Sequence, residues 1–298
     1  MIFDENYIQR KNISEVKDLL DKIKQTHLKT AKISELEKVL GDTILGHIRT
    51  TYRLNIGGLI RARKNHGKKA FKNIQSLHYP KWENIPKKHW CFGRCNDCGQ
   101  SMFYAATETD TAIIEIRPKK GDYITMAEYS PRSTNLQTIV QVIGVDKLIN
   151  LDSRYSAIFT DHAQRYNDLS ADMKEKNKIV NDFLDEQFMQ VVNHNESWKY
   201  KISIAITNIL LQHNDINGLL YPSIAANRRG ANILLKPDYA DTHFGITGRD
   251  IMEIMDSNSK SIFVEKRFAP LNRPHKDRNK IKWRFPADNE KDNYEIKV

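Results

Sequence analysis

Arg94, Tyr104 and Glu115 follow one another at intervals of 10 and 11 residues inside Gly93–Tyr129, which reads GRCNDCGQSMFYAATETDTAIIEIRPKKGDYITMAEY. A guanidinium fork takes anions in bidentate fashion, a phenol ring offers a stacking face, and a carboxylate can offset a developing positive charge. Three further pieces have similar potential: Arg61, the triplet Tyr221-Pro222-Ser223, and Gly230-x-Asn232. Taken singly, each has an ordinary explanation. A lone arginine is usually a surface charge, a strand tyrosine is usually core, and a glutamate near a helix end is usually solvated. The YPS triplet read alone is a strand exit.

Cys91, Cys95 and Cys98 also lie in this neighbourhood, the last two as C-x-x-C. No fourth ligand stands at finger-like spacing, and His89 is the nearest imidazole. Three ordinary thiols in a reducing compartment are the favoured reading, with no metal expected.

The elements that must position these residues can be read coarsely. Ser101–Ala106 suits a buried strand, Thr107 is placed to cap a short helix with Asp110 three residues on, and Pro118 should end that helix just beyond Glu115. Leu59–Arg63, Asp122–Tyr129, Lys147–Asp152, Leu219–Ser223, the ANILLKP run and Ser261–Glu265 are strand candidates. Residues 12–50 read as two helices, with Asn12/Glu15 and Ser34/Glu37 at capping-box spacing. Residues 161–195 read as helical, Lys201–His213 is open between strand and helix with a helix favoured by its length and the turn after it, and Asn65–Pro86 reads as a loop, either a mobile lid or an insertion. The fold class expected is α+β, divided into an N-terminal helical appendage (1–55), a central domain (56–250) and a basic C-terminal extension (251–298), partly disordered.

The chain has 298 residues and 40% hydrophobic content, enough for a sizeable core. No apolar run reaches membrane-spanning length and no signal-peptide h-region is present, so a cytoplasmic protein without membrane association is expected. The net charge of +10 is uneven. Arg53–Lys88 has ten Lys/Arg against Glu83, and Lys266–Val298 has ten against five acids. Such blocks attract nucleic acid or an acidic partner protein, or are merely solvated surface. Trp283 and Phe285 among Lys280, Lys282 and Arg284 can stack on bases, which makes a nucleic-acid-binding protein the alternative from another class.

Together, GRCNDCG, FYAA, TAIIEIRPKKGDY and GLLYPSIAANRRGANILL resemble the RES domain of bacterial toxin–antitoxin systems. In that family the blocks run G-R-x-N, L-Y-x-A, T-A-x-x-E-x-R-P, then G-x-x-Y-P-S with G-x-N-L-x-L. The resemblance covers residues 58 to 240 and implies an ADP-ribosyltransferase-like mixed β core with surrounding helices. It also implies a toxin that consumes NAD+ by hydrolysis, phosphorolysis or ADP-ribosyl transfer to a protein, depleting NAD+ and arresting growth, with a cognate antitoxin as partner. The family's invariant arginine, glutamate and serine fall on Arg61, Glu115 and Ser223, and its pocket arginine and tyrosine on Arg94 and Tyr104. Tyr221 and Asn232 lie in its last two blocks. Ala62 stands where some members have a tyrosine.

The residue types suit that chemistry. Loss of nicotinamide builds oxocarbenium character on the ribose, which a carboxylate such as Glu115 stabilises while holding the ribose hydroxyls. Arg61 and Arg94 are the expected grips for the pyrophosphate, Tyr104 a flat face for nicotinamide or adenine, and Ser223 a donor to the carboxamide or a phosphate. No His/Asp pattern accompanies Ser223, so it is not read as a nucleophile.

Overall fold

In a computed structural model of the chain, the described residues are 6–47, 49–149, 156–226, 230–270 and 279–298. Helices α1 (Tyr7–Arg10), α2 (Ile13–Lys24) and α3 (Ile33–Gly46) come first, followed by strands β1 (Thr50–Asn55), β2 (Leu59–Lys64) and β3 (Phe103–Ala106). Helix α4 (Thr109–Glu115) leads to β4 (Tyr123–Pro131) and β5 (Gln137–Val142). Helices α5 (Val145–Ile149), α6 (Ser156–Asn167), α7 (Ala171–Phe188) and α8 (Lys201–Leu211) come next, then β6 (Gly218–Pro222), β7 (Ala231–Leu235) and α9 (Pro237–His243). The last strands are β8 (Phe244–Ser257), β9 (Ser261–Pro270), β10 (Trp283–Arg284) and β11 (Asn293–Lys297). Helices combined with both parallel and antiparallel strand pairs make this an α+β protein. Among the described residues, no helix is long and apolar enough to cross a membrane.

Two compact units interleave along the chain. The first comprises Met1–Leu54, Lys81–Met102 and Thr138–Pro222; the second comprises Asn55–Pro80, Phe103–Gln137 and Ser223–Val298.

The first unit is built around α8, whose sequence KISIAITNILL is buried at ten of eleven positions. A helix apolar on every side must be enclosed, and α3 and α7 pack against it. Its buried Lys201 donates Nζ to the carbonyls of Lys29 and Ala31 at 3.2 and 2.7 Å. Asn12 and Glu15 form the expected capping box of α2. The expected Ser34–Glu37 box does not form. Glu35 instead reaches back to the Lys32 N–H, because Glu37 is drawn to Asn208 Nδ2 at 2.6 Å. The helical stretch 161–195 breaks at Ser170, which caps α7 through the Met173 N–H. The strand expected at Lys147–Asp152 is also corrected: Val145–Ile149 is helical, and 150–152 lie outside the described residues. There Leu148 is buried and the N–H groups of Lys147 and Leu148 both reach the Gly144 carbonyl, a helical pattern. Strands β5 and β6 pair in parallel, with Val140 opposite Gly218.

In the second unit the strands run in the order β7-β3-β2-β4-β8-β9, with β10 and β11 both paired to β9, all antiparallel. Helix α4 covers one face, where Ala112, Ile113 and Ile114 pack with Ala106, Ile124, Met126 and Met252. The stretch read as a mobile lid or an insertion is partly buried within this unit. Leu77 and Tyr79 are buried, the Leu77 carbonyl accepts from Tyr129 Oη, and Tyr79 Oη donates to Asp241. The C-terminal extension is likewise ordered by pairing: β11 lies along β9 in register Ile296 to Ile262, and Ile296 is buried. Residues 271–278 of that extension lie outside the described residues.

Candidate active site

Glu115 is the last residue of α4. The run Thr111–Ile114 is buried against the sheet, so the helix is pinned along its length. It stops there because Arg117 takes a left-handed φ of 46° and Pro118 follows. The expected Thr107 cap is not made. Thr107 gives both its N–H and its hydroxyl to the Ala231 carbonyl, extending the β3–β7 ladder, and Glu108 occupies the N-cap position without a side-chain capping hydrogen bond.

Two donors converge on the Glu115 carboxylate. Ser223 Oγ donates to Oε1 at 2.5 Å and Asn232 Nδ2 donates to the same oxygen at 2.6 Å. Ser223 is wholly buried, its N–H donates to the Gly230 carbonyl at 2.8 Å, and its Oγ accepts from the Ala226 N–H at 3.1 Å. That hydroxyl is therefore oriented by the backbone and spent on the carboxylate. Asn232 stands on β7 opposite Ala106 of β3. Among the described residues, Glu115 Oε2 has no hydrogen-bond partner. Gly230 makes this approach possible: a Cβ there would lie 1.8 Å from Thr111 Oγ1, so only glycine lets the chain pass so close to α4. Thr111, which sequence reasoning did not single out, is thus part of the site's frame. Its signal was its place one turn before Glu115, at the head of the T-A-x-x-E-x-R-P block.

Arg61 and Tyr104 are placed differently. Ile60 registers with Ala106, and Ala106 with Asn232, so strand alternation puts Ile60, Tyr104 and Asn232 on one face and Arg61 on the other. Arg61 shares its face with Leu59, whose register partner is Tyr129. Its Nη1 donates to the Tyr104 carbonyl at 2.9 Å, while its buried Nε has no partner among the described residues. Burial pushes this guanidinium below its ordinary pKa, with Arg63 adding to the effect and Tyr129 opposing it.

Arg94 and Tyr221 belong to the first unit. Arg94 follows Gly93 in a tight turn closed by the Gly93 N–H to Asn96 carbonyl bond. Its guanidinium donates to the carbonyls of Phe188 and Gln190 where α7 ends and lies over the Tyr200 ring. Those carbonyls lack helical partners, so Arg94 serves as their cap. Tyr221 is buried edge-on against Phe188 at 5.6 Å. Cys95 is buried and Cys91 and Cys98 are partly so; burial raises the Cys98 thiol. Among the described residues, no group of three or more His, Cys, Asp or Glu is arranged to hold a metal ion.

A family model for the RES domain matches residues 60–247, which include every residue discussed above as a candidate for the chemistry. No curated protein matches the chain. Since the match spans more than half of the 298 residues, the chain belongs to the RES domain family.

Proposed function

We propose that this protein cleaves the nicotinamide–ribose bond of NAD+. The observation that carries the reading is the Glu115 carboxylate. One oxygen is fixed by Ser223 and Asn232, and the other has no partner among the described residues. In this reading Oε2 accepts a hydroxyl of the nicotinamide ribose and places negative charge beside the oxocarbenium carbon as neutral nicotinamide departs. Ser223 and Asn232 act as positioning residues. They hold the carboxylate plane so that no reorganisation is needed as charge develops. Ser223 is not a nucleophile, since its oxygen is buried and committed to both Glu115 and Ala226. The acceptor is water, phosphate or a protein side chain, and all three share the same bond-breaking step.

Tyr104, on the sheet face of Asn232, is assigned the flat contact with an aromatic ring of the substrate. Arg61, on the opposite sheet face with its guanidinium on the Tyr104 carbonyl, is assigned to holding β2 and β3 together rather than to the substrate. Arg94 likewise has its guanidinium committed to backbone carbonyls. Family membership supports a toxin whose NAD+ consumption arrests growth, an ADP-ribosyltransferase-like core, and an antitoxin protein as natural partner.

Purified protein mixed with NAD+ should release nicotinamide, and Glu115→Ala should lower the rate by roughly 100-fold or more. Product analysis with and without phosphate assigns the acceptor. If no nicotinamide appears under either condition and no label passes from NAD+ to a lysate protein, the proposal fails.

A further inference from the structure

The two basic stretches that sequence separates by about two hundred residues form one surface on the second unit. The N–H of Ile74 donates to the Asn279 carbonyl at 2.8 Å and that of Ile281 to the Lys72 carbonyl at 2.9 Å, with an antiparallel bridge between Asn73 and Lys280. Trp283 Nε1 fastens the join by donating to the Phe71 carbonyl at 2.7 Å, and the Phe71 ring carries the Arg63 guanidinium at 4.6 Å. Ile281 is buried beneath the join while Lys72 and Lys282 on either side of it are exposed.

Charge on this surface is left in surplus. The second unit has 25 Lys/Arg against 16 Asp/Glu, a net of +9, whereas the first has 22 against 21. Nearby acids are already neutralised: Asp122 by Lys64 at 2.8 Å, Glu253 and Glu265 by Arg267 at 2.5 Å, and Glu290 by Arg284 at 2.5 Å. Lys68, Lys69, Lys72 and Lys282 are exposed and have no carboxylate within ion-pair distance among the described residues. Like charges gathered on one patch repel unless a polyanion offsets them. Phe285, 78% exposed and tilted against Phe268 with ring centroids 5.3 Å apart, adds an open aromatic face beside β10.

We propose that this stitched surface binds single-stranded nucleic acid without sequence preference, an activity separate from the NAD+ chemistry. Uncompensated lysines suit a phosphodiester backbone, and an exposed ring suits an unpaired base. Among the described residues the surface consists of loop, bridge and strand end and presents no helix to a major groove, which disfavours duplex reading.

Anisotropy with a labelled oligouridylate, titrated over a range of salt concentrations, tests the proposal. Four lysines on phosphates should give a log–log salt slope of about −3. Lys72→Gln with Lys282→Gln should weaken binding at low salt about tenfold and flatten the slope by about 1.4, with an unchanged melting curve showing an intact fold. Phe285→Ala should cost about fivefold or more on the single strand. The proposal is overturned by absence of binding, by a slope near zero, or by wild-type affinity in the double variant. Tighter binding to duplex or to anionic lipid vesicles than to the oligouridylate would equally overturn it.

Discussion

A single carboxylate oxygen, Oε1 of Glu115, receives both the Ser223 hydroxyl and the Asn232 amide. If these donors orient the catalytic group, Ser223→Ala and Asn232→Ala should each lower kcat by about ten- to a hundredfold while leaving KM nearly unchanged. Ser223→Thr, which keeps the hydroxyl, should recover part of the loss. A purely structural role would instead track the melting temperature, so rate and stability are to be measured on the same preparations. Sequence spacing pointed to Glu115, Ser223 and Asn232 separately. It did not reveal that the serine and the asparagine serve the glutamate, because residues 108 and 117 positions apart meet only when the fold is formed. Arg94 is the counterpart case. Its motif is as plain as the others, yet its fork caps the end of α7. Arg94→Lys should therefore lower the denaturation midpoint, since an ammonium cannot serve two carbonyls in fixed geometry. A loss of about 1.5–3 kcal/mol is expected for bonds of this charged kind.

Among the elements, the contact between α4 and the chain entering β7 is the most exacting. Gly230→Ala would push a methyl against Thr111 and should destabilise the protein by at least about 1–3 kcal/mol. Pairing it with Thr111→Ala should recover part of that loss in a double-mutant cycle. Capping shows how far local reading goes. Asn12 caps α2 as its spacing predicts, whereas Ser34 and Thr107 lose their expected roles to longer-range partners. The β10 segment is secured by electrostatics. Arg284 holds the Glu290 carboxylate through both oxygens at 2.5 and 2.6 Å, and with the Ala287 N–H this depresses its pKa from 4.5 to about 2. A depressed folded-state pKa contributes stability above pH 4.5 that is lost as pH falls toward about 2. The melting-temperature gap between wild type and Glu290→Gln should accordingly narrow below pH 4.5 and close near pH 2.

For the whole molecule, charge and topology diverge. The net charge of +10 lies almost entirely on the second unit, where residues 279–283 of the C-terminal extension are stitched to residues 71–74. Basic stretches that look like two tails are therefore one surface. The same extension supplies β11, which lies along β9 and buries Ile296. Deleting residues 293–298 should expose the outer edge of β9 and lower the melting temperature, a consequence that a disordered tail would not have.

What the sequence determined by itself was set over a few neighbouring residues, where no longer-range partner intervened. That includes the α+β class, the strand–helix frame ending at Glu115, the favoured helical reading of Lys201–His213 and the family motifs, because periodicity and proline act over a few residues. Tertiary structure alone decided which of the marked side chains meet. It brought Ser223 and Asn232 to Glu115, turned Arg61 to the opposite sheet face, and spent Arg94 on a helix end. The physical reason is that register and burial set side-chain direction. A shift of one residue along a strand reverses the face a side chain occupies, and no local signal in the β2 sequence LIRARK fixes that choice.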